Sequence, residues 1–462
     1  MAKQNSLLFK KKCAWDAVSQ KEQKDIFDFS EGYKKFLDNC KTERMAVSYI
    51  EDKALKSGFK RIGSASKNDT KLIISNRGVS TALCVINDKS FKNGFNIVVA
   101  HLDAPRLDLK PVTLYDSEGM AFMKTHYYGG IKKYQWVTVP LALHGIIVKS
   151  GGKKVSVCIG EDDGDPVFTV NDLLVHLAQE QVSKPASKVI EGEQLNILVG
   201  SIPHKFKSGS DAIKTALLDA LNKKYGIKEE DFVSAELQAV PAGRARDVGL
   251  DRSFVGAYAQ DDRVCAYTTL KAVLEAGNTK QNLIALFLDK EEIGSIGIGG
   301  ADSNLLVRIT SDIMGVYSDK NFSSVIKTIE NSRLMSADVT AGIDPEWKSV
   351  IEPMNGAKMG YGTTITKCGG SRGKYDSNDA SAEFTAKVRD AFTKDGVKWQ
   401  AAELGKVDVG GGGTVSRFFV YFGLEAIDCG PALLSMHSPF EIASKVDIYQ
   451  TYKAYRAFYR HC

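Results

Sequence analysis

Two short stretches narrow the folds open to this chain more than any other feature: "FNIVVA" at residues 95–100 and "NLIALFL" at residues 282–288. Each is an apolar run of strand length that stops abruptly in polar residues, "HLDAP" after the first and "DKEEIGSIG" after the second. Such runs read as buried strands. Around them lie segments with apolar residues at helical spacing. "FSEGYKKFLDNCKTERMAVSYIEDKALKSGF" sets Tyr33, Phe36 and Leu37, then Ala46, Tyr49 and Ile50, on helix faces and ends at Gly58. "DDRVCAYTTLKAVLEAG" and "DASAEFTAKVRDAFTKDG" are predicted helices, and "VSRFFVYFGLEAIDCG" a helix followed by a strand. "KLIISNRG" and "STALCVIN" are a predicted hairpin about Asn76, Arg77 and Gly78, while "DIMGVYSD" and "SRLMSADV" read as further strand ends. Strands alternating with helices predict an α/β fold, an open sheet flanked by helices.

Between about Asp108 and Val248 the texture changes. "LDLKPVTLYDSEGMAFMKTHYYGG" and "GGKKVSVCIGEDDGDPVF" are strand-and-turn-like, punctuated by Gly and Asp. Two helices are predicted there, in "NDLLVHLAQEQVSK" and "SDAIKTALLDALNKKYG". The block reads as an insertion, which divides the 462 residues into 1–107, 108–247 and 248–462. A formal charge of +5 is small for this length and gives no argument for nucleic acid or an anionic membrane. No segment approaches the roughly 18 apolar residues of a membrane span, and the start lacks the apolar core of a signal peptide. The eight cysteines are scattered singly with no CxxC pair, so a reducing cytosol is the expected setting.

In open α/β sheets, ligands bind outside the strand ends. The acids and histidines found there are His101 and Asp103, Glu291 and Glu292, Asp319, Asp338 and His437, with Asp261 and Asp262 just before a helix. Only seven histidines occur in the chain, and two fall in this set. Histidine and carboxylate without cysteine form a nitrogen and oxygen donor set suited to Zn²⁺, Co²⁺ or Mn²⁺. In "HLD" one residue can ligate while the other holds the imidazole through its second ring nitrogen. In "EE" one carboxylate can ligate while its neighbour takes a proton from an activated water, which makes Glu292 the ligand and Glu291 the base. Each piece alone has an ordinary explanation: a hydrogen-bonded structural histidine, a solvated helix start, an N-cap with a first-turn acid. Their order and contexts together carry the weight.

"VVAHLDAPRLDLKP", "AQDDRVCAY", "LDKEEIGSIG", "MSADV" and "MHSPFE" occur in the order found in the aspartyl aminopeptidase and vacuolar aminopeptidase I family, which the chain resembles from about residue 28 to 445. The resemblance implies a zinc-peptidase-like open mixed sheet with an inserted β-rich dimerisation domain, and assembly of dimers into a tetrahedral dodecamer. It implies two divalent ions per chain, with Zn²⁺ as the family's metal. Asp261 would bridge them, His101 and Asp338 would complete one site, and Glu292 and His437 the other. Asp103 would support His101, and Glu291 would be the general base. Lys367 in "TITKCGG" matches a pocket lysine, although Cys368 replaces the histidine that follows it in the family. His176 in "LLVHLAQEQ" falls in a segment that in the family sends a histidine into a neighbour's active site; Glu180 is the other candidate for that place, and a plain structural role is the alternative reading of His176. "ADVTAGIDPEW" lacks the histidines of the eukaryotic members. The implied activity is release of the N-terminal residue from peptides with a free N-terminus, with a preference for Asp or Glu. The rivals are a related two-metal amidohydrolase (carboxypeptidase or deacylase) and an inactive self-assembling shell protein. Gly410–Gly413 has neither phosphate-loop nor dinucleotide spacing and reads as a loop whose backbone closely approaches the substrate or a neighbour.

Overall fold

The computed structural model describes residues 7–205, 211–277, 279–317 and 321–462. Among these, the two apolar runs are neighbouring strands, Phe95–His101 and Asn282–Leu288, paired in parallel with His101 opposite Leu288. Every residue of both is buried. Val98, Ala100, Leu283, Ala285 and Phe287 enter one core, and Ile97, Val99, Ile284, Leu286 and Leu288 enter another. A strand covered on both faces takes apolar side chains except where a polar one finds a partner, as Asn96 does at the Phe458 carbonyl and Asn282 at the Asp88 carbonyl, which explains the nearly unbroken runs. Each Leu or Phe so buried contributes about 1.5–3 kcal/mol.

These strands sit inside a nine-stranded mixed sheet. Its order is Lys60–Arg61, Lys71–Asn76, Ser80–Val85, Asn282–Leu288, Phe95–His101, Arg333–Ser336, Glu425–Gly430, Thr363–Thr366 and Trp399–Ala401. The hairpin predicted about Asn76–Gly78 is present, with Asn76 opposite Ser80. Helices Gln20–Asn39, Glu43–Lys56, Gln260–Leu274, Ala382–Lys394 and Lys445–His461 cover one face, and Leu305–Tyr317, Phe322–Glu330 and Ser416–Val420 the other. Thr42 and Ser381 cap two of them by accepting the backbone N–H of Met45 and Phe384. The expectation of an open mixed sheet flanked by helices therefore holds.

A seven-stranded sheet takes all its strands from between Arg106 and Pro241 and has a core of its own. A five-stranded sheet combines Arg246–Val248, Phe254–Ala257, Glu441–Ser444, Ala432–Leu434 and Thr340–Ala341.

Two expected elements differ. The "DIMGVY" part of "DIMGVYSD" is not a strand end but the last part of helix Leu305–Tyr317, whose buried Leu305, Leu306, Ile309, Ile313, Met314 and Tyr317 recur at helical spacing over a longer window; Ser318 and Asp319 lie outside the described residues. "NDLLVHLAQEQVSK" is not a continuous helix. It forms a 3₁₀ turn at Val175–Leu177 and one helical turn at Gln179–Val182. Leu173, Leu174, Val175 and Leu177 are exposed, so the apolar face lacks the packing that stabilises most helices.

Candidate metal centre

Strand Phe95–His101 is flanked by Asn282–Leu288 and Arg333–Ser336, both parallel to it, so the three C-terminal ends share one edge of the sheet. That edge brings together His101, the turn Glu291–Ile293 and Asp338. Helix Gln260–Leu274 begins over it. Asp261 and Asp262, joined by a cis peptide bond, precede its regular turns. His437 arrives from the five-stranded sheet, three residues beyond strand Ala432–Leu434. One ligand atom from each of His101, Asp261 and Asp338 lies within 4.8 Å of the others, and the same holds for Asp261, Glu292 and His437. Asp261 stands between the two imidazoles, with Oδ1 3.2 Å from His101 Nε2 and Oδ2 3.1 Å from His437 Nε2. Glu292 Oε2 is 3.5 Å from His437 Nε2.

Two buried carboxylates hold these groups by their backbones. Asp103 accepts the N–H of Glu291 on Oδ1 and the N–H of Glu292 on Oδ2, both at 3.1 Å. Tyr128 donates its hydroxyl to Asp103 Oδ2 at 2.8 Å, and the Asp103 backbone carbonyl lies 3.0 Å from His101 Nδ1. Glu441 accepts the N–H of His437 on Oε1 at 2.7 Å and those of Gln260 and Asp261 on Oε2 at 2.5 and 3.1 Å. It thereby caps the helix start at which Asp261 sits. Sequence reasoning did not single out Glu441 or Tyr128, although Glu441 closes the motif "MHSPFE".

A sequence profile for the family described as Aminopeptidase I zinc metalloprotease (M18) matches residues 36–459. The chain belongs to the M18 peptidase family. A relative from Clostridium acetobutylicum, named "Probable M18 family aminopeptidase 1", is 50% identical over 460 residues, covering 98% of this chain and 99% of its own. The crystal structure of an M18-family aminopeptidase from Thermotoga maritima matches with TM-score 0.95 at 44% identity, over 98% of this chain and 100% of that one. A likeness of fold extends to the S. cerevisiae mApe1 dodecamer, with TM-score 0.76 at 21% identity over 94% and 97% of the two chains. This M18 chain is accordingly a zinc-dependent aminopeptidase, a hydrolase.

The donor set of the M18 chain fits a divalent cation on its own chemistry. Burial first, and then the neighbouring Asp261 charge, push the Glu292 carboxyl well above the usual range. Burial also pushes Asp338 well up; His101 opposes this, and Glu291 and Asp261 add to it. Burial raises Glu291 to about 6. Burial opposes ionisation of Asp261 as well, but hydrogen bonds with His101 and His437 hold that carboxyl far below its ordinary value. Glu292 Oε1 and, next to Asp261 in the chain, Asp262 Oδ1 are buried without a hydrogen-bond partner. Crowded buried carboxylates with orphaned oxygens beside two imidazoles are what a divalent ion neutralises.

The remaining expected residues lie elsewhere. Strand Thr363–Thr366 runs antiparallel to Glu425–Gly430, so it ends away from the metal edge. Just past it, the Lys367 ammonium pairs with Asp379 Oδ1 at 2.5 Å. His176 and Glu180 are exposed and line a hollow of about 660 Å³ beside Leu173 and Leu177 in the inserted block. The Gly410–Gly413 loop packs against the chain's own 370–376 loop. A Cβ on Gly411 would lie 2.6 Å from the Ser371 Cα, and one on Gly413 1.9 Å from the Asp376 carbonyl oxygen. Among the described residues, no helix is long and apolar enough to cross a membrane.

Proposed function

We propose that this aminopeptidase removes one residue from the free N-terminus of a peptide with two divalent ions per chain, Zn²⁺ first and Mn²⁺ or Co²⁺ as substitutes. Asp261 would be shared between them, His101 and Asp338 would complete one site, and Glu292 and His437 the other. The observation that supports this most is that the two groups of converging ligand atoms have Asp261 in common. Ions bound there would polarise the scissile carbonyl and acidify a water. The chain's own residues do the rest. Glu291 takes the proton of the attacking water and returns it to the leaving amine. Asp103 fixes both Glu291 and Glu292 by their amides. The free α-amine of the substrate binds beside the metal site or a nearby acid.

Residues 108–247 form the dimerisation unit in this reading, with the exposed Leu173, Leu174, Val175 and Leu177 covered by another copy, and the dimers build a dodecamer. His176 or Glu180 then enters a neighbour's site. A cytoplasmic setting fits eight unpaired cysteines.

The test is hydrolysis of free and N-acetylated peptides with Zn²⁺, Mn²⁺ or Co²⁺ added, alongside zinc analysis. Cleavage of free peptides only, and two zinc ions per chain lost together in Asp261→Ala, are expected. Turnover of acetylated peptides would redirect the assignment to a deacylase, and release of C-terminal residues to a carboxypeptidase.

The preference for Asp or Glu requires Lys367 to exchange Asp379 for a substrate carboxylate. Lys367→Ala is then expected to lower kcat/KM for acidic N-termini about ten- to a hundred-fold more than for neutral ones, since a hydrogen bond to a charged group contributes about 1.5–3 kcal/mol. An equal loss for Asp-, Leu- and Lys-initiated peptides would leave Lys367 as the surface ion pair it forms here.

A further inference from the structure

We infer that Tyr128, Gly129 and Gly130 form a strap by which the inserted sheet positions both halves of the metal centre, with Tyr128 as its positioning side chain. The inference rests on the metal reading above. Tyr128 is the last residue of strand Met120–Tyr128 and is buried. Its hydroxyl is bonded to Asp103, the carboxylate that in turn accepts the amides of Glu291 and Glu292 and faces His101 Nδ1 at 3.4 Å. The phenol is itself fixed. Arg106 lies opposite Tyr128 in the hairpin and stacks over its ring at 3.8 Å from the centroid, while Arg106 Nε donates to Asp108 at 2.8 Å.

The next two residues reach the other half of the centre. Gly129 has φ +73°, which strains any L side chain, and a Cβ there would touch the Glu292 Cβ and the Pro105 Cγ at 3.4 Å, so only the width of a methyl group separates this backbone from Glu292. The Gly130 carbonyl lies 2.8 Å from His437 Nδ1. A carbonyl can only accept, so Nδ1 keeps its proton and Nε2 is the nitrogen presented to Asp261 and Glu292. Tyr128 and the two glycines that follow its strand thus bond to Asp103, pass beside Glu292 and bond to His437. The seven-stranded sheet is thereby coupled to the metal site, beyond carrying contacts to other copies.

The experiment compares wild type with Tyr128→Phe, Gly129→Ala and the control Tyr127→Phe, whose phenol is partly exposed on the same strand. Metal-free protein is titrated with ZnCl₂ against a chromophoric chelator, the Co²⁺ form is examined by visible absorption, and kcat and KM are measured separately. Tyr128→Phe and Gly129→Ala are expected to stay folded, to bind zinc about 10–100-fold more weakly, the usual cost of losing a residue that orients ligands, to change the Co²⁺ spectrum, and to lower kcat more than they raise KM. Tyr127→Phe should match wild type. Wild-type zinc affinity and an unchanged Co²⁺ spectrum in whichever of the two variants folds would overturn the strap alone, whatever happened to thermal stability. A wild-type protein that takes up no zinc overturns the metal reading itself, and the strap with it.

Discussion

Asp103 bonds the amides of Glu291 and Glu292, one to each carboxylate oxygen. Adjacent glutamates at a strand end are otherwise free to splay into solvent. Pinned in this way, they send one carboxylate toward His437 and leave the other available as a base. Glu291→Gln preserves that backbone bond and removes only the carboxylate proposed above as the proton acceptor. It is expected to keep fold and zinc while kcat falls by about 10²–10⁴; activity within a few-fold of wild type would take Glu291 out of the role. Metal uptake should depend on pH. Burial works against a charged His437 ring, but the hydrogen bond to Asp261 and the charges of Asp261 and Glu292 lift it to about 10. Burial opposes a charged His101 too, and Asp103 and Asp261 lift it well above its ordinary value. Below those values the metal-free rings hold protons that zinc must displace. Zinc affinity should therefore rise with pH through the neutral range, as a competition titration at several pH values would show; a flat profile would mean that the rings are already neutral. The residue types of this site were legible in the sequence because carboxylates and histidines at the ends of apolar runs are conspicuous. Glu441 was not singled out, because its partners Gln260 and Asp261 lie 181 and 180 residues away.

At the scale of elements, the site depends on parallel strands ending together and on turns with unusual backbone. Ala259, Lys290 and His437 have φ of 61°, 70° and 65°, each in the left-handed region and each at or just before a residue of the centre. Such conformations persist only where surrounding structure holds them. Glu441 does so for two of these segments, through the amides of His437, Gln260 and Asp261. Glu441→Gln replaces one accepting oxygen with a donor, so at least one buried N–H loses its partner. The expected cost is about 1–3 kcal/mol, read in denaturant unfolding of the metal-free chain. Unchanged stability would mean that the amides find water instead. Strands such as Asn282–Leu288 were legible because full burial leaves a nearly continuous apolar run, here Leu283–Leu288. The left-handed turns were not, since Ala, Lys and His carry no intrinsic preference for that region comparable with glycine's.

At the scale of the molecule, one sheet carries the site and a second, built from residues between Arg106 and Pro241, leans on it through Tyr128 and Gly130. The inserted block that carries this sheet also exposes Leu173, Leu174, Val175 and Leu177 in the segment expected to be a helix. An apolar stretch left in water favours association. If the proposed dimer forms there, Leu174→Glu with Leu177→Glu is expected to give smaller species than wild type in sedimentation, with little effect on the fold of each chain because neither side chain is buried. An unaltered sedimentation profile would place the interface elsewhere. The apolar runs, the helical spacings and the charged residues that end them were sufficient to determine an open α/β sheet and the residue types at its functional edge, because secondary structure follows short-range periodicity. The tertiary structure alone decided that Glu441 ties the His437 turn to the helix start at Gln260 and Asp261, that Lys367 turns to Asp379, and that Tyr128 and Gly130 reach the centre from the inserted block. Those facts depend on strand order, direction and register, which bring Gly130 to His437 across 307 positions and Glu441 to Gln260 across 181, and which decide even over short separations which partner a side chain meets.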